Sequence, residues 1–262
     1  MRVGIIGGTG WLGSALGQRL LAQGIVSPDD LILLNRSGPK ESFHGHRVRW
    51  AQDASELAAL ADVIVVSVRP QDWPAVQFDA SGKLVISFMA GIPFSDMTRV
   101  GGRVVRAMPN AAAEIGTSYS PFWAGPGVTD TDRGVVIRLL SAIGTTDELG
   151  NEEQIDLMTA LPGSGAAYPA LMAVAMARFM QAQGVAEDIA WPATEAAVCG
   201  GAAMLVGQTQ KAESLLAAYL DYRGTTAAGI DAAEAAGFSA AITQALQAAT
   251  EKTRRISAEL PG

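Results

Sequence analysis

A chain of 262 residues, 49% hydrophobic and only 17% charged, carries enough apolar side chains for one large core or two smaller ones, which excludes a disordered or solvating polymer. Its net charge of −7, with no Lys/Arg run, argues against a nucleic-acid surface, so an anionic ligand must be held by local geometry rather than by a positive field. One cysteine, Cys199, rules out an internal disulfide and suits a reducing compartment.

Met1 leads into an apolar strand pattern without the basic segment and cleavage site of a signal peptide, so a soluble, cytoplasmic protein is expected. Over residues 1–150, short apolar runs alternate with helical stretches. The runs are Val3 to Ile6, Leu31 to Leu34, Val63 to Val66, Leu84 to Ser87 and Val104 to Ala107. They lack in/out alternation, as expected of parallel strands covered on both faces. Between the first two runs, Leu12, Ala15, Leu16, Leu20 and Leu21 form a helical stripe over Trp11 to Gln23. The fold class predicted is α/β: an N-terminal Rossmann doubly wound parallel sheet over residues 1–150.

Gly8-Thr9-Gly10-Trp11-Leu12-Gly13 follows the first strand and opens that helix. It fits G-x-G-x-x-G, in which the glycines permit the tight turn, the approach of a pyrophosphate and close helix–strand packing. The second strand ends in Asn35-Arg36-Ser37, with no carboxylate to accept bonds from a ribose 2′-hydroxyl. An arginine and two neutral hydrogen-bonding groups favour a 2′-phosphate, so the predicted cofactor is NADPH/NADP. Two more strand ends, Val68-Arg69-Pro70-Gln71 and Ala90-Gly91-Ile92, should face it, with Gly91 approaching the nicotinamide ribose.

After Asn151 the strand signals stop. Leu157 to Ala177 has nearly the length of a membrane span, but Pro162, Gly163, Ser164, Gly165 and Pro169 interrupt it, which predicts a loop entering a buried helix. Helical patterns run over Glu152 to Ala160, Ala166 to Gln183, Ala186 to Val206, Ala212 to Leu220, Thr225 to Ala236 and Ser239 to Ile256. The middle helices are apolar nearly all round, so residues 151–262 are expected to form an all-helical dimerisation and substrate domain. His44 and His46 sit in a polar connection and read as surface residues; Cys199 reads as a small buried side chain. No metal-ligand spacing appears, and no metal is expected.

Several segments carry a family resemblance. Val68-Arg69-Pro70-Gln71 is similar to the V-K-P-x loop of pyrroline-5-carboxylate reductases, and Ile86 to Ile92 to their I-S-x-x-A-G-I segment. Arg106-Ala107-Met108-Pro109-Asn110 resembles R-x-M-P-N, which adds Asn110 to the cofactor residues. Leu161 to Tyr168 resembles G-S-G-P-A-Y, and Arg223 to Ile230 resembles G-G-T-T-x-x-G-I. Together the five segments span almost the whole chain in the right order. The resemblance implies hydride transfer from NADPH to the C=N bond of 1-pyrroline-5-carboxylate, giving L-proline. It also implies homodimers built by C-terminal helices, often assembled further into rings. Gly224, Thr225 and Thr226 at a predicted helix start would offer N–H donors to the substrate carboxylate. Carried over from the family, Thr226 would hydrogen-bond the imine nitrogen.

The chain also departs from the pattern. Its first turn, Gly7 to Gly13, is one residue longer, and Leu220-Asp221-Tyr222-Arg223 stands where T-S-P-G is usual. Arg223 would either bind a carboxylate or pair with Asp221, and the pocket would then take a related cyclic imine. Two alternatives stay open: a deazaflavin-dependent NADP reductase, whose glycine turn is alike, and a non-catalytic NADPH-sensing protein.

Overall fold

The structure is a computed structural model that describes residues 1–259. It divides into two compact units: Met1–Ser164 together with the segment from Ala248 onward, and Gly165–Gln247. The expected boundary near residue 150 differs from this division, because two polar and packing contacts described below hold the start of the helical region and the end of the last helix in the first unit.

In the first unit, β1 (Val3–Ile6), α1 (Trp11–Ala22), β2 (Leu31–Leu34), β3 (Arg49–Trp50), α2 (Ala54–Leu60), β4 (Val63–Val66) and β5 (Leu84–Ser87) follow in turn. Then come α3 (Phe94–Met97), β6 (Arg103–Ala107), β7 (Ser118–Tyr119), β8 (Phe122–Ala124), α4 (Asp130–Leu140), β9 (Gly144–Thr145) and α5 (Gln154–Met158). The main sheet has the order β3-β2-β1-β4-β5-β6-β8; β1 to β6 are parallel, and β8 is antiparallel to β6.

The five predicted strands are therefore present, and the register explains their unbroken apolar character. Val3, Ile5, Leu31, Leu33, Val63, Val65, Leu84 and Ile86 face a core with α1 and α4. The alternate positions Ile6, Ile32, Ile64, Val66 and Val85 face a second core with α2 and the segment around Trp73. Each strand buries both faces, so a polar side chain would be stranded on either side. The short β3, β7, β8 and β9 carry too few residues to show a period.

The second unit is all helical: α6 (Ala167–Ala182), α7 (Glu187–Glu195), α8 (Gly201–Ala203), α9 (Ala212–Tyr222) and α10 (Thr225–Ala235); α11 (Phe238–Ile256) starts there and ends in the first unit. Three sequence expectations are corrected here. The proline- and glycine-containing stretch is not a loop, because Thr159–Gly163 form a π-helical turn that carries α5 toward α6. Pro162 lacks an N–H donor, and at the end of the turn the Ser164 hydroxyl donates to the Thr159 carbonyl at 3.1 Å. Nor is α6 buried within the chain: only Ala177 along it is buried, while Leu171 and Phe179 are 71% and 62% exposed. Cys199, expected to be buried, is exposed as well. Helices apolar all round need a partner surface, and a single chain does not supply one here. The run Gln154–Ala182 is long and apolar enough to cross a membrane by length and composition alone.

Candidate active site

The turn after β1 is built from close backbone approaches. Gly7 has φ 85°, and a Cβ there would collide with the Ser67 carbonyl oxygen, so the position most demanding of glycine precedes the motif read from the sequence. The N–H groups of Gly7 and Gly8 both donate to the Leu34 carbonyl, at 2.8 and 3.1 Å, tying the turn to the end of β2. At Gly13 a Cβ would come 2.5 Å from the Gly7 carbonyl oxygen, so α1 can start against the strand only with glycine there. Gly10 caps α1 without a side-chain hydrogen bond, and no acidic residue stands in the first turn. The first intrahelical bond runs from Ser14 N–H to the Gly10 carbonyl, which leaves the N–H groups of Trp11, Leu12 and Gly13 without a partner inside the helix. An uncapped helix start with no carboxylate in its first turn suits a pyrophosphate.

Beside this turn, the Asn35 amide donates to Thr9 Oγ1 at 3.0 Å, while Asn35 Oδ1 is buried with no hydrogen-bond partner. A buried acceptor lacking a donor fits a ribose hydroxyl. Arg36 and Ser37 are exposed. Across β1, Arg69 Nε donates to Asp72 Oδ2 at 3.1 Å, and Arg36 Nη1 lies 3.8 Å from Asp72 Oδ1. Val68 and Pro70 are half-buried at the exit of β4, where Pro70 opens a 3₁₀ turn. The residues present therefore fit a phosphorylated dinucleotide across β2, β1 and β4.

Two further positions acquire different explanations. Gly91, beside half-buried Ala90, has φ 70°, but the space of a Cβ there is taken by Thr253 O at 2.5 Å and Ile256 Cβ at 2.6 Å. The last turn of α11 and the positive φ thus both require glycine at 91. The Asn110 carboxamide oxygen accepts from Ala112 N–H at 2.9 Å and its own N–H donates to Ser118 Oγ at 3.0 Å, which fixes the loop after β6.

In the second unit, Arg223 ends α9 in the left-handed conformation and Gly224 caps α10 in extended backbone. The helix has no side-chain cap and no acid in its first turn, and its first intrahelical bond runs from Ala228 N–H to the Gly224 carbonyl. The N–H groups of Thr225, Thr226 and Ala227 therefore have no partner inside the helix, and both threonines are exposed. Among the described residues no ion pair joins Arg223 to Asp221.

Sequence reading missed a charged cluster around a buried arginine. Arg106 on β6, only 4% exposed, donates from Nη1 to Glu152 Oε1 at 2.7 Å, and its Nη2 faces Asp156 Oδ1 at 3.5 Å without hydrogen-bond geometry. Glu152 also accepts from Phe94 N–H at 2.6 Å. One carboxylate, just before α5, thus joins the start of α3 to the strand carrying the Met108-Pro109-Asn110 loop. An arginine inside an apolar strand was the signal available. Also unforeseen was a 2.8 Å hydrogen bond between His44 Nε2 and Ser14 Oγ, although both histidines are exposed as expected.

Comparison with known proteins follows this geometry. Residues 152–256 match the model of the pyrroline-5-carboxylate reductase dimerisation domain. Residues 2–91 match that of coenzyme F420-dependent NADP oxidoreductases. A pyrroline-5-carboxylate reductase of Methanosarcina acetivorans is 31% identical over 97% of each chain. The chain belongs to the pyrroline-5-carboxylate reductase family. A pyrroline-5-carboxylate reductase of Coxiella burnetii, 27% identical, superposes with a TM-score of 0.85 over 97% of this chain and 98% of the other. The NADP-bound pyrroline carboxylate reductase of Plasmodium falciparum, 22% identical, shares the fold at a TM-score of 0.83 over 98% of both chains. Family membership makes the second unit part of a dimerisation domain and the chain a homo-oligomer, which accounts for its exposed apolar helices.

Proposed function

We propose that this protein is an NADPH-dependent reductase of the C=N bond of 1-pyrroline-5-carboxylate, yielding L-proline. The observation that carries the reading is a relative of that name, 31% identical over nearly the whole chain, together with a first unit whose glycine turn is built for a dinucleotide. Gly8, Thr9, Gly10, Trp11, Leu12 and Gly13 would hold the pyrophosphate. Asn35, Arg36 and Ser37 would hold the adenosine ribose and its 2′-phosphate, with Val68, Arg69, Pro70, Ala90 and Asn110 around them. When bound, NADPH supplies the hydride.

The chain's own task is binding and orientation. The N–H groups at the start of α10, from Thr225 and Thr226, grip the substrate carboxylate, with Gly224 leaving the approach open. The Thr226 hydroxyl bonds the imine nitrogen. That nitrogen is protonated before transfer, and addition of hydride to its carbon turns an iminium cation into a neutral amine, so no strong catalytic acid is required. The site is placed in a homodimer formed by the C-terminal helices, which can assemble further into a ring, in the cytoplasm.

Arg223, where the family pattern has glycine, favours a second reading in which a related cyclic imine carboxylate is preferred. NADPH consumption with 1-pyrroline-5-carboxylate, pyrroline-2-carboxylate and piperideine carboxylates, with the product identified, decides between them. We expect proline from the first substrate; turnover of none would leave a non-catalytic NADPH-binding protein. Thr226→Ala should lower kcat about 10²-fold, at the low end for general acid–base groups, with NADPH affinity unchanged. An unaltered kcat would remove Thr226 from the mechanism.

A further inference from the structure

We propose that Asp72 tempers the NADPH preference of this site: its carboxylate clasps Arg36 and Arg69 beside the glycine turn, and a 2′-phosphate must take both arginines from it. The proposal rests on the NADPH-binding reading above and adds a residue that opposes it. Arg36 follows β2 and Arg69 follows β4, the two strands that flank β1 on either side. Their guanidinium groups thus reach from opposite sides toward the crevice where a dinucleotide of this fold lies. Asp72 meets both, one carboxylate oxygen for each: Oδ2 at 3.1 Å from Arg69 Nε, Oδ1 at 3.8 Å from Arg36 Nη1.

The end of β2 carries no carboxylate of its own, which from sequence alone pointed to a 2′-phosphate. The tertiary structure brings one there from the exit of β4. Its sign is wrong for a phosphate and right for a 2′-hydroxyl, so Asp72 works against the discrimination that Arg36 provides. Magnitude decides the outcome. The side chains of Arg36 and Arg69 are 84% and 61% exposed, and exposed ion pairs are weak and salt-screened. An arginine–phosphate contact is charge-assisted and can be bidentate. A 2′-phosphate therefore wins both arginines, but it does so beside a carboxylate that repels it. Breaking the clasp should then help NADPH more than NADH.

Direct titration of the full-length protein with NADPH and NADH, read by cofactor fluorescence or calorimetry, tests this without turnover. We expect Asp72→Asn to tighten NADPH roughly 3- to 10-fold while changing NADH less than twofold, consistent with removing one weak pair and one repulsion. In an Arg36→Ala background the same substitution should give less than half that gain. Asp72→Ser provides a second variant, free of the amide's own hydrogen bonds, should Asp72→Asn melt at lower temperature. A weakened or unchanged NADPH affinity in both variants overturns the clasp, as does an equal gain for NADH. If the unaltered protein fails to bind NADPH at all, the cofactor reading itself falls; binding without the Asp72 effect overturns the clasp alone.

Discussion

Arg223 adopts φ 55° and ψ 31°, a left-handed conformation that side chains disfavour. The penalty for a residue with a Cβ there is about 1–2 kcal/mol, and glycine avoids it. Glycine also raises the entropy of the unfolded chain, which offsets about 0.4–1 kcal/mol of the gain. The steric term wins, so Arg223→Gly should stabilise the protein by roughly 0.5 kcal/mol in urea unfolding. A loss of stability would show that Arg223 makes a compensating contact in the oligomer. The same substitution restores the family's residue, so a simultaneous shift in imine preference would assign that preference to the Arg223 side chain.

The charge of Asp132 ties two elements of the first unit together. Arg103 donates to both its oxygens, at 2.7 and 2.9 Å, and Thr129 closes a capping box with it at the start of α4. The Arg103 hydrogen bonds, followed by those of Thr129, hold its carboxyl well below the usual carboxylate range against the opposing effect of burial. Because the folded value lies below the unfolded one, this stabilisation is present above the unfolded value, near pH 4, and is lost as pH falls toward the folded one. Asp132→Asn should cost about 2 kcal/mol at neutral pH, the worth of hydrogen bonds to a charged group. The deficit should shrink below pH 4, where the parent loses the same charge. A deficit independent of pH would mean that the amide is resisted by packing rather than by loss of charge.

At the scale of elements, the sequence was most legible where one element satisfies one rule. The five apolar runs are strands because every position in them must be buried, and α1 is a helix because its apolar stripe meets that sheet. The interruption between α5 and α6 was misread because Pro162 and Gly163 usually end helices. Here a π turn carries the chain through Pro162 and the Ser164 hydroxyl donates to the Thr159 carbonyl, and residue spacing does not announce such rerouting. The Arg106–Glu152 pair is another element-level device, holding the entry to α5 to β6 and to the start of α3. Arg106→Ala should cost roughly 3 kcal/mol, the low end for deleting one partner of a buried pair, because Glu152 keeps some solvent contact. It should also weaken cofactor binding through the Met108-Pro109-Asn110 loop. Chemical denaturation and NADPH titration would check both; loss of neither would make the pair an ornament of the fold.

For the whole molecule, the exposed apolar faces of α6 and α7 set the expectation. Leu171, Phe179 and Ile189 stand in water in one chain, an arrangement that a second copy relieves. Sedimentation should give at least twice the 27.2 kDa of a single chain. Phe179→Asp should shift the protein toward monomer and make its melting temperature depend on concentration. A parent protein that sediments as a monomer at micromolar concentration would refute the homodimer.

Sequence alone determined the alternation of strand and helix, the phosphate-cradling turn and the family, because these rest on local periods and on contiguous motifs. Tertiary structure decided that Gly91 packs against the end of α11, that Asp72 stands among the arginines, that Arg106 holds three segments together, and that α6 lies open in the single chain. Each of these joins residues distant in the chain, and no period or spacing in the sequence encodes which distant side chain will arrive.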